Sequence, residues 1–297
     1  MDIITQLKDV MDTHGYSQGQ VARAIGRSSA TMNQYVQGKY NGDIADMEER
    51  IGHFLRRVRE KQNALRIDER FVSTPTASKG LEVLSYAHLE SEICVLYGAA
   101  GLGKTMILKE YARRDSNVIF IEADPGFTAR TLLEELCGRL RLSKNGNIHA
   151  LIEVCVEKLK DSGRLLVIDE AELLPYRALE VIRRLHDKAG IGVVLAGMPR
   201  LIVNLKGKRG EYAQLYSRVA LALDLGNALA RQDFDQIAVD LMPEAEDRKI
   251  SDALYEQSKG NARRLFKMAR GVYRMCDISK KDVTVTAIEK FSEMLIH

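Results

Sequence analysis

Two segments of the chain carry residue types that could bind and cleave a phosphoanhydride. In the first, the apolar run Ile93–Tyr97 leads into a G-x-x-x-x-G-K-T pattern and then a helical pattern, as in a phosphate-binding loop. The loop residues are Gly98, Ala99, Ala100, Gly101, Leu102, Gly103, Lys104, Thr105 and Met106. Its glycines let backbone amides surround phosphates, and the helix that follows adds its N-terminal dipole. We expect Lys104 to reach the β- and γ-phosphates and Thr105 to bind Mg²⁺. The structural alternative is a glycine turn beside a surface lysine.

The second segment is the continuous apolar run Arg164–Ile168, which ends in Asp169 and Glu170. Such a run is typical of a parallel strand that is buried on both faces. We expect it to lie beside the strand that leads into the phosphate loop, with Asp169 holding Mg²⁺ and Glu170 orienting or deprotonating the attacking water. Alternatively, the two acids cap a helix beginning at Ala171. No N-K-x-D motif for guanine is present, so we predict ATP rather than GTP, and Mg²⁺-dependent ATP hydrolysis.

The composition restricts the classes of protein that fit. The 297 residues carry 44 basic and 41 acidic side chains, a net charge of +3, so that any basic surface must be local. The four cysteines are scattered without a CxxC pair, which favours reduced thiols over a disulfide or zinc framework. There is no apolar run of membrane-span length and no basic signal-peptide start. We therefore expect a soluble cytoplasmic protein with no membrane partner.

Residues 1–66 have an all-helical pattern that includes a candidate helix-turn-helix at Gln18–Val36. Ser17 with Gln20 forms a capping-box pattern, and Gly26 falls where a tight turn needs a positive φ. Short polar residues on the second helix suit phosphates and base edges. We predict DNA contacts from Arg27, Ser28, Ser29, Thr31, Asn33 and Gln34. A small helical bundle with no DNA function is the alternative.

Downstream of residue 66 the pattern predicts three further parts. Residues 67–80, rich in Ser, Thr and Pro, are predicted to be a linker. Residues 81–225 alternate strands and helices, which predicts an α/β core with a parallel sheet. Residues 226–297 carry only helical patterns and are predicted to be a C-terminal lid. The predicted strands are Ile93–Tyr97, Val118–Ala123, Arg164–Ile168, Ile191–Ala196 and Val219–Leu225.

Two basic groups complete the candidate sites. Arg263, at the start of a lid helix in Gly-Asn-Ala-Arg, could touch the γ-phosphate, with Arg264 as a rival and an ordinary exposed arginine as the alternative.

Lys206, Lys208 and Arg209 lie in a glycine-punctuated stretch that could follow a DNA backbone as a flexible loop. A solvated basic loop explains this stretch equally well.

The phosphate loop, the Asp-Glu pair, five strands and a helical lid with G-x-x-R together resemble the AAA+ ATPases, P-loop NTPases with a five-stranded parallel sheet. The chain is more closely similar to the phage Mu B transposition protein family, and that resemblance runs nearly from end to end. Besides the candidate helix-turn-helix, it rests on Lys39–Asp43, Arg70–Val72, Val167–Ala171, Ile191–Leu195 and Leu215–Arg218.

This resemblance implies an ATP-dependent protein that binds double-stranded DNA largely without sequence preference. It would assemble head-to-tail into helical filaments, capture target DNA for a transposase and be released by ATP hydrolysis. It also implies that a neighbour's arginine reaches the nucleotide, and Arg218 is our candidate for that finger. A structural arginine paired with a carboxylate is the alternative for Arg218.

One residue departs from the AAA+ pattern, since Met198 follows the fourth strand where a polar side chain usually helps to position the water. We therefore predict slow basal hydrolysis. Two other functions remain open from the sequence, a replication helicase loader or initiator and a nucleotide-switched helix-turn-helix transcriptional regulator.

Overall fold

The computed structural model describes residues 2–63, 70–207 and 213–295. The chain divides into two compact units, residues 1–66 and residues 67–297. Among the helices in these ranges, none is both long enough and apolar enough to cross a membrane.

The N-terminal unit is built from helices. The helices α1 to α4 span Ile3–His14, Gln18–Ala24, Ser29–Val36 and Ile44–Asn63. The predicted capping box is present at the start of α2, where the Gln20 amide donates to Ser17 and the Ser17 amide donates to the Gln20 side chain. Gly26, in the turn between α2 and α3, has a φ of 70°, a left-handed conformation that glycine adopts without a steric penalty.

Apolar residues from all four helices form the core of this unit. Val21 and Ala22 of α2 meet Met32 of α3, while Leu7 and Ile51 contribute from the two outer helices, and all five are fully buried. These buried residues form the inward faces of α2 and α3.

The second unit contains a sheet of five parallel strands, as predicted. The strands β1 to β5 span Ile93–Tyr97, Val118–Glu122, Leu165–Asp169, Gly192–Gly197 and Val219–Asp224. Each predicted strand end lies within one residue of these bounds. The order across the sheet is β2-β3-β4-β1-β5. The expectation that the strand ending in Asp169 lies beside the phosphate-loop strand is wrong, because β4 lies between β3 and β1.

Helices cover both faces of the sheet. The helices α5 to α11 span Pro75–Leu89, Lys104–Arg114, Ala129–Leu140, Ile148–Leu159, Tyr176–Ala189, Arg200–Lys206 and Ala213–Tyr216. Buried residues of α5 and α6 pack with one set of strand side chains, and those of α7, α8 and α9 pack with the other. This two-sided burial is the reason why the three central strands, β1, β3 and β4, are rich in apolar residues.

The predicted linker at residues 67–80 is only partly irregular, because α5 begins at Pro75. The Thr74 side chain accepts a hydrogen bond from the Ala77 amide at 3.2 Å, and Pro75 occupies the first helical position, where its missing amide is not needed. Residues 75–80 therefore belong to the covering of the sheet. Residues 67–69 lie outside the described ranges.

The C-terminal residues form helices that pack on the phosphate loop. The helices α12 to α15 span Arg231–Leu241, Arg248–Ser258, Ala262–Ser279 and Val285–Ser292. Their core includes Phe234, Leu254 and Leu265, each fully buried, and it takes in Leu102 from the phosphate loop. The helical region is thus in direct contact with the candidate site.

Candidate functional site

The phosphate loop joins β1 to α6 in the position that the sequence predicts. Gly101 and Gly103 have φ values of 78° and 88°, which strongly favour glycine. Gly103 is the N-cap of α6, so that the loop delivers its amides to the N-terminus of an eleven-residue helix. This arrangement is suited to binding phosphate groups.

Lys104 is buried and lies folded back on its own loop. Its Nζ atom donates to the carbonyl oxygens of Gly98 and Ala99, both at 2.8 Å. Burial lowers the pKa of this ammonium group, while the charges of nearby carboxylates oppose that shift. Neutral carbonyls are weaker partners for an ammonium ion than phosphate oxygens are, so an incoming phosphate can take this lysine from the loop.

The Thr105 hydroxyl and the Asp169 carboxylate meet beside the loop. Thr105 Oγ1 donates to Asp169 Oδ2 at 2.7 Å. The two residues meet although β4 lies between β3, which ends at Asp169, and β1, which leads into the phosphate loop. Asp169 is only 1% exposed, and its Oδ1 atom accepts from the Glu170 amide at 3.0 Å. A hydroxyl and a carboxylate are the hard oxygen donors that Mg²⁺ prefers. The donor set therefore fits this ion.

Glu170 follows Asp169 in a left-handed backbone conformation, with a φ of 53°. This is uncommon for a residue that is not glycine, and such strain is often found at functional sites. Burial, followed by the charges of Glu172 and Asp169, raises the pKa of the Glu170 carboxyl. A carboxylate with a raised pKa accepts a proton more readily, which suits a general base.

An apolar pocket continues from the phosphate loop towards the C-terminal helices. Met106 on α6, Phe71 ahead of α5, and Ile237 and Phe266 on α12 and α14 are among its lining residues. Such a pocket beside a phosphate site can hold the flat, largely apolar face of a base. Of these four residues, only Met106 is among the nucleotide-binding residues that the sequence predicts.

Polar contacts fix the outer wall of this pocket. Arg70 donates to both oxygens of Asp240 on α12, at 2.6 and 2.7 Å, and the Thr76 amide donates to Asp233 at 3.3 Å. These contacts join Arg70 and the first turn of α5 to α12.

The start of α14 bonds directly to the phosphate loop. The Asn261 side-chain amide donates to the Ala100 carbonyl at 2.7 Å, and the Ala262 backbone amide donates to the Gly101 carbonyl at 3.0 Å. We call these two bonds the α14–loop contact. Sequence reasoning missed them, because neither residue type nor spacing in the Gly-Asn-Ala-Arg stretch indicates a backbone partner.

The two candidate arginines of α14 lie in different environments. Arg263 is exposed, and its positive charge contributes to lowering the pKa of Lys104. Arg264 instead donates through Nη2 to the Gln257 carbonyl at 3.3 Å, within the C-terminal helices. Electrostatic proximity to the phosphate loop thus favours Arg263.

Arg218, the candidate arginine finger, precedes β5 and is paired with a carboxylate. Its Nε atom lies 3.0 Å from Asp187 Oδ1 on α9, and the side chain is 50% exposed. Arg218 therefore makes the kind of carboxylate pair that the structural alternative describes. The pair is exposed enough for Arg218 to change partners, since such ion pairs contribute little stability.

The predicted DNA contacts of the basic stretch are only partly described. Lys206 is not in a flexible loop, because it is the last residue of α10, a helix anchored by buried Leu201 and Leu205. Its ammonium group lies 4.7 Å from the centre of the Tyr216 ring. Lys208 and Arg209 lie outside the described residues.

The six predicted DNA contacts of the N-terminal unit have unequal exposure. Arg27 is half-buried and pairs with Asp46 of α4. Ser28 caps α3 by accepting from the Thr31 amide at 3.1 Å, and the two hydroxyls are also hydrogen-bonded. Four of the six are exposed: Ser28, Ser29, Asn33 and Gln34.

Comparison with known proteins identifies the family. The sequence pattern of the AAA domain matches residues 88–205. The Mu-like prophage FluMu DNA transposition protein B of Haemophilus influenzae is 32% identical over 228 residues, which cover 74% of this chain and 78% of the relative. The chain belongs to the Mu B transposition protein family. The ATP-dependent target DNA activator B of Escherichia phage Mu is 31% identical over 229 residues, covering 74% and 71% of the two chains.

Solved structures support the fold. The Aeropyrum pernix ORC2 protein aligns with a TM-score of 0.58 at 17% identity, over 76% of this chain and 70% of that one. A Thermotoga maritima RuvB mutant aligns with a TM-score of 0.51 at 16% identity, over 76% and 70% of the chains. This member of the Mu B family therefore has the AAA fold and is a nucleotide-binding ATPase.

Proposed function

We propose that the chain binds ATP together with Mg²⁺ and, in that state, binds target DNA and delivers it to a transposase. The observation that carries this proposal is the phosphate-binding part of the site, in which Lys104, Thr105, Asp169 and Glu170 are in contact or adjacent. The chain that contains it is a member of the Mu B family. Relatives that are 31% identical are named ATP-dependent target DNA activators. The role that these names describe is the one that we propose here.

The nucleotide would lie along the apolar pocket, with its phosphates in the phosphate loop. Thr105 and Asp169 would hold Mg²⁺, which supplies charge neutralisation at the phosphate oxygens. Lys104 would leave the Gly98 and Ala99 carbonyls for the β- and γ-phosphates. The lack of an N-K-x-D motif favours adenine as the base.

Hydrolysis would depend on three groups of this chain. Glu170 would take a proton from the attacking water, and its raised pKa supports that role. Arg263 would neutralise charge near the γ-phosphate in the same molecule. Arg218 would do so for the nucleotide of a neighbouring copy, after exchanging Asp187 for the phosphate. Since Met198 offers no hydrogen bond of useful strength to water, we expect slow basal turnover.

DNA binding would involve both units. We assign residues 1–66 as a helix-turn-helix DNA-binding domain, residues 75–225 as the ATPase core and residues 226–297 as the lid. Exposed Ser29, Asn33 and Gln34 are suited to backbone contacts. A neighbouring copy that supplies Arg218 makes a head-to-tail contact, and such a contact produces a helical filament when it does not close into a ring.

The test is electron microscopy of the protein with duplex DNA, using a non-hydrolysable ATP analogue or ADP. We expect regular coating of DNA with the analogue, bare DNA with ADP, and bare DNA for Lys104→Ala under either condition. Footprinting of the same samples should show protection without preferred positions. A discrete, dyad-symmetric footprint would indicate a transcriptional regulator, and a wild-type chain that stays monomeric with ATP and DNA would contradict the proposal.

A further inference from the structure

Glu172 is a buried carboxylate that no hydrogen bond accounts for. The residue is 5% exposed, and its Oε2 atom is inaccessible to solvent and has no hydrogen-bond partner among the described residues. Burying such an acceptor without a partner costs free energy, and native proteins keep few of them. An acceptor in this state points to a group that joins it in the working complex.

Two elements of the fold hold the backbone of Glu172 beside the Asp169–Glu170 pair. The residue lies in a short 3-10 turn, Ala171–Leu173, directly after the Asp169–Glu170 pair. The Asn204 side chain of α10 donates to its carbonyl oxygen at 3.0 Å. Two separate elements therefore hold this turn at the end of β3.

The carboxylate itself lies over the end of β4. A Cβ atom added at Gly197 would come within 2.1 Å of Glu172 Oε2, a distance that no real contact allows. Gly197 is the last residue of β4, and its carbonyl accepts from the Gly98 amide at 3.3 Å. A side chain at this position would therefore displace the Glu172 carboxylate, which occupies the gap between the second acidic segment and the phosphate loop.

Electrostatic interactions show the same proximity. The charge of Glu172 acts on the Lys104 ammonium and, more strongly than that of Asp169, on the Glu170 carboxyl. Glu170 and Glu172 therefore flank one region next to the lysine of the phosphate loop. Met198, directly after β4, has a side chain that offers only a weak acceptor.

A water molecule that attacks phosphorus has two hydrogens, and a fixed orientation requires an acceptor for each. We propose that Glu172 is the second acceptor and that, with Glu170, it directs the water oxygen towards the γ-phosphorus. The water proton goes to Glu170. As the new oxygen–phosphorus bond forms, the bond to the bridging oxygen breaks and its electron pair leaves with ADP. This inference rests on the proposed ATP hydrolysis with Glu170 as base.

The competing role for Glu172 is to hold Lys104 once the lysine has left the loop carbonyls. The two roles differ in what a substitution changes. A partner of Lys104 affects nucleotide affinity, whereas an acceptor for water affects turnover alone. The experiment therefore separates binding from hydrolysis.

We would measure kcat and KM for ATP with Mg²⁺, the Kd of a fluorescent ATP analogue and of its ADP counterpart, and the melting temperature, all on the full chain. For Glu172→Ala we expect kcat to fall by about 100-fold, at the lower limit for a positioned acid–base group. Both Kd values should stay within about twofold. Glu172→Gln keeps a carbonyl acceptor and should recover about a tenth of the wild-type rate, and exposed Glu157→Gln is the matched control.

Gly197→Ala provides a second route that leaves the carboxylate chemically intact. Its methyl group displaces Glu172, so we expect the same selective loss of kcat. A purely structural role for Glu172 predicts a lower melting temperature instead. Since removing an unpaired buried carboxylate relieves a cost, we expect Glu172→Ala to melt no lower than the wild type.

Three results would overturn the inference: an unchanged kcat in Glu172→Ala, a loss of nucleotide affinity without a loss of kcat, or a Glu172→Gln variant no more active than Glu172→Ala. Glu170→Gln distinguishes this failure from that of the proposed function. If Glu170→Gln binds ATP and does not hydrolyse it while Glu172→Ala is fully active, only the inference about Glu172 is wrong. If Glu170→Gln hydrolyses ATP normally, the proposed hydrolysis itself is wrong.

Discussion

The phosphate end of the site consists of one continuous segment, Gly98–Thr105, together with the strand end at Asp169. The base end, which is the apolar pocket that we propose to hold the base, is instead assembled from four segments that are far apart in the chain. Backbone amides, glycines and charged groups make the first. Apolar side chains of several types make the second. Phosphate recognition depends on backbone geometry, which only certain residues allow, whereas base recognition depends mainly on buried area, which many residues provide.

The largest effect should come from Glu170 at the phosphate end. We expect Glu170→Gln to lower ATP hydrolysis by about 100- to 10,000-fold, the range for loss of a general base, with ATP affinity within threefold of the wild type. Single-turnover hydrolysis and equilibrium titration would check this, with Glu157→Gln as the control. A change of less than tenfold would remove Glu170 from the chemistry.

Lys104→Ala should have the next largest effect. Losing a charged hydrogen-bond donor to phosphate costs about 1.5–3 kcal/mol, which is roughly 10- to 100-fold in ATP affinity. Isothermal titration calorimetry would measure this loss. Lys109→Ala, on the exposed face of the same helix, should bind normally. If the two variants bind ATP equally well, the phosphate loop is not the triphosphate site.

Phe266→Ala tests the base end separately from the phosphate end. We expect the affinities for ATP and ADP to fall together by about tenfold, because apolar area is lost from the pocket. Inorganic tripolyphosphate, which has no base, should bind as it does to the wild type. Ile278→Ala, an exposed apolar change elsewhere on the same helix, serves as the control. A loss of tripolyphosphate affinity in Phe266→Ala would mean that the two ends are not independent.

The Arg70–Asp240 pair should have the smallest effect. Its Arg70 side chain is 66% exposed, and pairs of this kind contribute little. We expect Arg70→Gln and Asp240→Asn, singly and together, to change ATP affinity by less than about threefold. A double-mutant cycle would measure their coupling. A loss of tenfold or more would show that charge matters at the base end too.

The contrast between the two ends also explains what the sequence could predict. Five strands, the phosphate loop and the position of Asp169 at a strand end follow from local patterns and agree with the structure. The order of strands does not, because pairing is decided by how helices cross the sheet. Thus β3 was expected beside β1 and instead is separated from it by β4.

The sequence could not predict groups that depend on contacts between distant segments. Phe71 and Phe266 are ordinary apolar residues until folding brings them to one pocket. Glu172 has no signature beyond its distance from Asp169, and its importance depends on the glycine that faces it. The start of α5 is different, since Thr74 followed by Pro75 is a helix-start signal that was available and was assigned to a linker.

The α14–loop contact has a mechanical consequence. Because Asn261 and Ala262 donate to two carbonyls of the phosphate loop, a change in the shape of that loop would either shift α14 or break these bonds. A tilt of a few degrees is negligible in a single molecule. In the head-to-tail filament proposed above, however, a tilt repeated from copy to copy would accumulate as twist, so that the filament pitch would differ between its ATP-bound and ADP-bound states.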